Sequence, residues 1–293
     1  MINIESIKGK IRNFSENNNL SSQEILQMYF FERFLERLSK SKYKQNFVIK
    51  GGFLISSIIG IENRTTMDMD TTLKGLPLRK EIIKDIVEEI LDISVDDGIE
   101  FEMTSIEYIR EDDDYEDFRI SLIAKIGKTK NPMKLDITTG DVITPREMEY
   151  SYSCIFSDEN IKVLAYPIET ILAEKYESII KRNIATTRMR DFYDIYSLYN
   201  LKSEEIDYKI LNEAIAKTAE KRNSIEILRD YEEIIEDIRN DSYLTNLWEI
   251  YVNENKYIGN LAFEDVVEVI NEISKKITME KSIKKTQVLP EFF

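Results

Sequence analysis

Residues 47–73 read FVIKGGFLISSIIGIENRTTMDMDTTL, and the other elements of the chain can be placed around this stretch. Residues 47–52, FVIKGG, form a short apolar run that ends in two glycines. Residues 65–73, TTMDMDTTL, predict a strand that carries Asp68 and Asp70. Because residues i and i+2 of a strand project from the same face, these carboxylates are close enough to hold a hard divalent cation. A solvated acidic pair at a strand end is the alternative interpretation.

The segments on either side of this stretch predict a mixed α/β (α+β) core. Before it, Ser21 and Glu24 have the spacing of a helix capping box, and apolar residues recur with a helical period in 25–38. After it, residues 78–92 have an amphipathic helical pattern, and three strand-like segments follow at 99–109, 117–127 and 133–141. One strand face of the second segment carries Phe118, Ile120, Leu122, Ala124 and Ile126. Strands with an interleaved helix favour such a core.

Beyond Pro167 the apolar pattern becomes helical. The segments with a helical period are 167–182, 187–200, 224–239 and 263–277. The sequence therefore predicts two domains, residues 1–165 as an α/β core with N-terminal helices and residues 166–293 as a helical C-terminal domain.

Composition excludes several classes of protein. Forty Lys and Arg against 55 Asp and Glu give a net charge of −15, which disfavours a protein that coats DNA or membranes through a positive field. The chain has no histidine and one cysteine, Cys154, so His-based triads, His metal sites, internal disulfides and Cys-cluster zinc sites are excluded. We interpret Cys154 as a small buried residue. No apolar run approaches the roughly 20 residues needed to span a bilayer, and no signal peptide is evident, so we expect a cytoplasmic protein without a membrane partner.

A third carboxylate follows in the segment KLDITTGD, residues 134–141. The apolar residues around it share one strand face, which places Lys134 and Asp136 together on the other face. Three carboxylates on adjacent strands are the minimal set for holding one or two Mg²⁺ at a phosphoryl-transfer site. A polar strand face in water is the alternative interpretation.

Charged residues also stand out in the helical half. Lys175 falls inside the apolar stripe of its predicted helix, where its ammonium either extends to water or points at phosphates in a cleft. Asp191 and Asp194 lie three residues apart and are therefore neighbours on a helix surface. Local ion pairing with Arg188 or Arg190 is the simpler interpretation of these two aspartates.

In chain order, FVIKGGFLISSIIG…TTMDMD, KLDITTGD, YPIETILAEKYESII and TRMRDFYDIYSL resemble the AbiEii/AbiGii-type abortive-infection toxins. These toxins belong to the nucleotidyltransferase superfamily and to bacterial type IV toxin–antitoxin systems. The resemblance spans residues 47–200, about half of the chain, and its last two segments are the most specific. It implies a nucleotidyltransferase-like mixed sheet in residues 1–165 and a helical domain, 166–293, that completes the active-site cleft.

The resemblance also implies roles for individual residues. The implied metal ligands are Asp68, Asp70 and Asp136. The implied nucleotide-binding residues are Lys50, Gly51, Gly52, Lys134 and Lys175, with the glycine amides on the phosphates and Lys175 on the triphosphate. The implied catalytic residues are Asp68, Asp70, Asp136, Lys175, Asp191 and Asp194. Either Asp191 or Asp194 is the candidate base for the acceptor hydroxyl.

This sequence departs from the family pattern in three places. Gly52 stands where a serine is common, so no hydroxyl is available there. The spacing from Gly52 to Asp68 is longer than the shortest family pattern. The third motif often includes a histidine before the lysine, and here Ile168 or Glu169 occupies that region.

The function that the resemblance implies is Mg²⁺- or Mn²⁺-dependent transfer of NMP from an NTP to an RNA acceptor, with tRNA as the expected acceptor. Such a toxin halts growth in phage defence and is encoded with an antitoxin. A protein-modifying nucleotidyltransferase and a catalytically silent nucleotide-binding module are the alternatives. A haloacid-dehalogenase-type phosphatase, suggested by DMDTT, is disfavoured because its later acidic motif is missing near Asp141 and Pro145.

RNA binding by a chain of net charge −15 requires an uneven distribution of charge. Basic residues cluster at Lys40, Lys42 and Lys44, at Lys125, Lys128 and Lys130, at Lys181, Arg182, Arg188 and Arg190, and at Lys281, Lys284 and Lys285. Two of these clusters flank the predicted site and predict an RNA-facing rim, whereas solvated surface is the alternative for any one of them.

Overall fold

The structure is a computed structural model that describes residues 4–77, 79–110 and 117–277. The strands are β1 (Phe47–Lys50), β2 (Asp68–Leu73), β3 (Ile99–Arg110), β4 (Asp117–Ile126), β5 (Thr129–Thr138), β6 (Met148–Ser153) and β7 (Asn160–Ala165). The helices are α1 (Ile4–Asn18), α2 (Ser22–Lys40), α3 (Gly51–Ile59), α4 (Lys80–Leu91), α5 (Ile168–Arg182), α6 (Met189–Lys202), α7 (Tyr208–Lys221), α8 (Ile225–Arg229), α9 (Tyr231–Asn240), α10 (Ser242–Glu254) and α11 (Phe263–Lys276). The predicted basic cluster at Lys281, Lys284 and Lys285 lies outside the described residues.

The seven strands form one mixed sheet in the order β3-β4-β5-β2-β1-β7-β6. At its centre β1 is antiparallel to β2 and parallel to β7, and β2 is parallel to β5. The pairs β3–β4, β4–β5 and β6–β7 are antiparallel. This arrangement confirms the predicted mixed α/β core. It also adds β6 and β7, which the sequence pattern did not reveal.

The local signals in the first half of the chain have the predicted structural effect. Ser21 and Glu24 form the expected capping box at the start of α2, because the Ser21 side chain accepts from the Glu24 amide while the Glu24 carboxylate accepts from the Ser21 amide. On β4 the alternating apolar residues are all buried, and those between them are only partly covered. One face of β4 therefore belongs to the core, and the opposite face carries polar side chains.

The chain divides into two compact units. One comprises Met1–Asp141 and Glu147–Tyr166 and contains the sheet, and the other comprises Val142–Arg146 and Pro167–Phe293. The short segment before β6 groups with the helical unit because Thr170 Oγ1 donates to the Thr144 carbonyl oxygen and accepts from the Thr144 amide, each at 2.9 Å. The first unit holds α1 to α4 and the second holds α5 to α11.

All four segments of the second half that were predicted to be helical are helical. The segment 224–239 is divided at Asp230, which separates α8 from α9. Helices α7 and α10 complete the described part of this unit. None of the described helices combines the length and the apolar composition that crossing a bilayer requires.

Candidate active site

Asp68 and Asp70 lie on β2, and both are half-buried, whereas Met69 between them is almost fully buried. The alternation shows that Met69 points into the core and that both aspartates project from the opposite face of the sheet. The predicted pair of carboxylates on one strand face is confirmed.

The strand register brings other predicted residues next to this pair. Lys50 on β1 lies opposite Asp70, and on the other side of β2 the residues opposite Asp70 and Asp68 are Asp136 and Lys134 on β5. Neighbouring strands lie about 4.8 Å apart, so these residues occupy adjacent positions of the sheet. Positions separated by more than 60 residues of sequence therefore meet at one place.

Gly51 packs directly against Asp70. Its φ is +66°, a left-handed conformation that side chains disfavour, and a Cβ built there would overlap the Asp70 carboxylate. A Cβ on Gly52 would come within 2.8 Å of Arg64 Nη2 and 2.9 Å of Thr66 Oγ1. The conformation and packing of Gly51 therefore favour glycine, and Gly52 lies in close contact with two side chains, in addition to the phosphate contact that the family resemblance implies.

These glycines also begin α3, and its N-cap residue Lys50 makes no side-chain capping hydrogen bond. The first backbone N–H groups of a helix have no intrahelical acceptor and attract anions. The N-terminus of α3 thus presents donors beside the carboxylates of β2.

Arg119 is a member of the site that the sequence analysis did not identify. On β4 it lies opposite Asp136, and its Nε and Nη2 donate to Asp136 Oδ1 and Oδ2 at 2.8 and 2.7 Å. These hydrogen bonds, together with the charges of Asp136, Asp68 and Asp70, raise the pKa of Arg119 above its usual range. The alternation of β4 already placed Arg119 on the polar face, which was the available signal.

The donor set on β2 suits a hard divalent cation. Asp68 and Asp70 supply carboxylate oxygens, the ligands that Mg²⁺ and Mn²⁺ prefer. Within residues 4–77, 79–110 and 117–277, however, no three acidic, cysteine or histidine side chains converge in a metal-binding arrangement. Both oxygens of Asp136 accept hydrogen bonds from Arg119, so Asp68 and Asp70 are the two predicted ligands whose chemistry suits a cation.

Lys50 takes part in a polar network at the end of β1. Its Nζ lies 2.6 Å from Asp141 Oδ2 and 2.7 Å from Thr138 Oγ1, and Thr72 also donates to Asp141. Burial alone would raise the pKa of Asp141, but the charge of Lys50 and the hydrogen bonds from Lys50, Thr72 and Thr138 lower it to about 2. The ammonium predicted to bind nucleotide is thus held by an ionised carboxylate.

In the helical unit, Lys175 on α5 contacts both predicted aspartates of α6. Its Nζ lies 2.8 Å from Asp191 Oδ1 and 2.7 Å from Asp194 Oδ2. Both aspartates are almost fully buried, and Arg188 Nε adds a second cation 2.5 Å from Asp191. The sequence predicted water or phosphate as the environment of the Lys175 ammonium, whereas in this structure the ammonium lies between two carboxylates. Pairing of Asp191 with Arg188 is confirmed.

The opposite charges in this cluster favour the charged forms of Lys175 and Asp191. Burial alone would lower the pKa of Lys175, but the charges of Asp191 and Asp194 raise it. Burial alone would raise the pKa of Asp191, but the charge of Lys175 and the hydrogen bonds and charge of Arg188 lower it to about 2. A carboxylate with such a pKa is a weak general base, so Asp191 is better suited to orienting groups than to removing protons.

Comparison with known proteins identifies the fold and the family. The structure is similar to that of JHP933 from Helicobacter pylori, with 16% identity, a TM-score of 0.50, and coverage of 91% of this chain and 96% of that one. A second H. pylori structure, named as a candidate nucleotidyltransferase, has 16% identity, a TM-score of 0.48, and coverage of 92% and 100%. At such identities only the fold is shared. A search among curated proteins found no match.

A mixed sheet that places a glycine turn beside two strand carboxylates is the core expected of a nucleotidyltransferase-like protein. Residues 33–269 match the model of the nucleotidyl transferase AbiEii toxin family of type IV toxin–antitoxin systems. The chain belongs to that family, as the resemblance of its four motifs predicted.

Proposed function

We propose that the protein is a toxin that transfers NMP from an NTP to an RNA acceptor in the presence of Mg²⁺ or Mn²⁺. The observation that carries this proposal is the position of Asp68 and Asp70 on one sheet face, against the Gly51 turn that begins α3. The name of the family indicates nucleotidyl transfer as the reaction class. Because the family belongs to type IV toxin–antitoxin systems, it also implies an antitoxin partner. Phage defence is the biological setting that we propose for it.

The residues around β2 account for nucleotide binding. Asp68 and Asp70 would hold the divalent cation, which when bound stabilises charge on the reacting phosphate. The uncapped N-terminus of α3 offers backbone N–H donors to phosphate oxygens. Lys134 lies opposite Asp68 in the register and is exposed, so its ammonium is available to the same phosphates.

In the reaction, the acceptor oxygen forms a bond to the α-phosphorus while the bond to the bridging oxygen breaks. Pyrophosphate leaves with the electron pair, and the hydroxyl proton passes to water. From the family resemblance alone we assign triphosphate binding to Lys175 and the orientation of the acceptor to Asp191 and Asp194, which are buried and act through groups such as Lys175. The low pKa of Asp191 favours an orienting role for it.

The outer face of β4 and β5 supports RNA as the acceptor. Lys125 and Lys130 lie directly opposite each other, and Lys128, Lys130 and Lys134 are exposed along the same hairpin. Like charges in directly opposed positions destabilise a sheet, although Glu102 pairs with Lys125 and reduces that effect. A row of phosphates complements this face better than a protein hydroxyl does. We propose tRNA as the RNA by family resemblance alone.

The test is incubation of the full chain with each of four α-labelled NTPs, together with total tRNA or total cell protein, followed by gel separation. Label on RNA is the expected result, and Asp70→Asn is the inactive control. Label on protein alone would favour the protein-modifying alternative. Metal-independent NTP binding without transfer would favour the silent binding module.

A further inference from the structure

The Asp136 carboxylate is committed to Arg119 through both of its oxygens. The two hydrogen bonds, at 2.8 and 2.7 Å, form the side-on fork typical of a strong guanidinium–carboxylate pair. Asp136 is nearly buried, with 12% of its side chain exposed, so the pair is shielded from water on the carboxylate side. Mg²⁺ demands close oxygen ligands in near-octahedral geometry, and a carboxylate held in this way is poorly placed to provide one.

Arg119 retains one edge for a ligand. A guanidinium has five N–H donors, and Asp136 engages the Nε and Nη2 edge. Nη1 donates to no residue within the part of the chain that the structure describes, and 37% of the Arg119 side chain is exposed. A fixed guanidinium with a free edge recognises phosphate oxygens well, because it is planar and always charged.

The register places this cation on the catalytic face. Asp70, Asp136 and Arg119 occupy facing positions on β2, β5 and β4. With neighbouring strands about 4.8 Å apart, the Arg119 backbone lies about 10 Å from that of Asp70, within the reach of a long side chain. Residues in facing positions of adjacent strands project from the same face, so Arg119 shares one surface with Asp70 and Asp136, and the charges of Asp68 and Asp70 act on its guanidinium.

We propose that Arg119, positioned by Asp136, binds a phosphate oxygen of the NTP where a second metal ion would otherwise serve. The site then takes one divalent cation, on Asp68 and Asp70. Arg119 neutralises charge on the phosphate during transfer and stays protonated throughout, so no proton or electron moves through it. Asp136 is a positioning residue. This inference rests on the proposed function and specifies its metal content.

The test counts Mn²⁺ ions per full-length chain by electron paramagnetic resonance, with a non-hydrolysable NTP analogue present. We expect one Mn²⁺ in the wild type and none in Asp70→Asn. Asp136→Asn should keep its Mn²⁺ dissociation constant within about threefold but weaken the analogue by about tenfold, since the guanidinium loses its orientation. Two bound Mn²⁺ in the wild type, or a Mn²⁺ affinity about tenfold lower in Asp136→Asn, would overturn the proposal.

Variants at position 119 separate a substrate contact from a structural role. Arg119→Gln should weaken the analogue by about 10- to 100-fold and keep its single Mn²⁺, with Arg119→Lys in between. The matched controls are Arg79→Gln and Asp85→Asn, which change exposed residues of the α4 region. An unchanged analogue affinity in Arg119→Gln would contradict the proposal. If the wild type transfers label but binds two Mn²⁺, this inference fails and the proposed function remains. If the wild type binds neither Mn²⁺ nor NTP, the proposed function itself is contradicted.

Discussion

Two pairs of aspartates in this protein look alike in sequence and differ in structure. Asp68 and Asp70 lie half-buried on a strand, while Asp191 and Asp194 are at most 2% exposed on a helix and share Lys175. A buried carboxylate remains ionised only if the fold supplies a cation. A partly hydrated carboxylate is stabilised by water, and a cation from solution can reach it. Lys175 therefore neutralises the buried pair from within the fold, whereas the half-buried pair is partly accessible to water and to ions in solution.

The largest effect should follow from changing the strand pair. We expect Asp70→Asn to reduce label transfer by at least about 1,000-fold, about 4 kcal/mol, because the variant loses a carboxylate that we propose as a metal ligand. Its free energy of unfolding should change by less than about 1 kcal/mol, since the side chain is half-hydrated. Transfer assays and urea unfolding measure the two effects, with Asp85→Asn on α4 as control. If Asp70→Asn retained label transfer, the proposed role of the strand aspartates in metal binding would be contradicted.

Changing the charge partner of Asp191 and Asp194 should lower the free energy of unfolding. Lys175→Met leaves two buried carboxylates without their shared ammonium, so we expect a loss of about 3 kcal/mol or more in the free energy of unfolding. Lys217→Met, which breaks an exposed pair with Glu213 on α7, should lose less than about 1 kcal/mol. Urea unfolding of both variants is the measurement. Equal losses in the two would show that Lys175 is not the essential counter-ion.

The free energy of unfolding at low pH should also depend on the cluster of Lys175, Asp191 and Asp194. The folded pKa of Asp191 is about 2, below the value of about 3.9 in an unfolded chain, so its stabilisation is complete above pH 4 and is lost as the pH falls through 2. We expect Asp191→Asn to be less stable than the wild type at pH 7, and the gap to shrink by about 2 kcal/mol between pH 5 and pH 2. Chemical unfolding across this range tests the expectation. A gap independent of pH would mean that the charge of Asp191 does not stabilise the fold.

The smallest effect concerns the lysines of the β4–β5 hairpin. Replacing Lys128 and Lys130 with Gln should weaken binding of single-stranded RNA by about tenfold and lower the slope of log affinity against log salt by about 1.4. Filter binding at several salt concentrations measures both quantities. The control replaces Lys80 and Lys84, exposed on α4, in the same way. If both double variants behave alike, net charge rather than this face determines RNA binding.

Local patterns predicted the parts of the fold that local physics determines. The capping box of α2 and the alternation of β4 depend on residues two to four positions apart, and both appear as expected. The carboxylate pair of β2 was also predicted, because strand periodicity alone places Asp68 and Asp70 on one face. The short strands β6 and β7 escaped prediction, since their segments mix polar and apolar residues without a strong signal.

The charge partners within the site escaped prediction for a different reason. Arg119 lies 17 residues from Asp136, and Asp141 lies 91 residues from Lys50. Lys175 and Asp191 lie on successive helices, 16 residues apart. Each of these contacts depends on strand register or helix packing, which a single sequence does not specify. Most of the charged residues were therefore predictable, apart from Arg119, and so was the local pair of Asp191 with Arg188, but these long-range pairings were not.

The antiparallel register of β1 and β2 explains why the long gap between Gly52 and Asp68 is harmless. Pairing of Lys50 with Asp70 brings the carboxylates of the first motif back beside its glycines, whatever number of residues α3 and its following loop contain. That intervening segment can therefore lengthen or shorten during evolution without moving the carboxylates. A search for distant relatives should accordingly hold the two paired strands fixed and leave the length of the insert between them free.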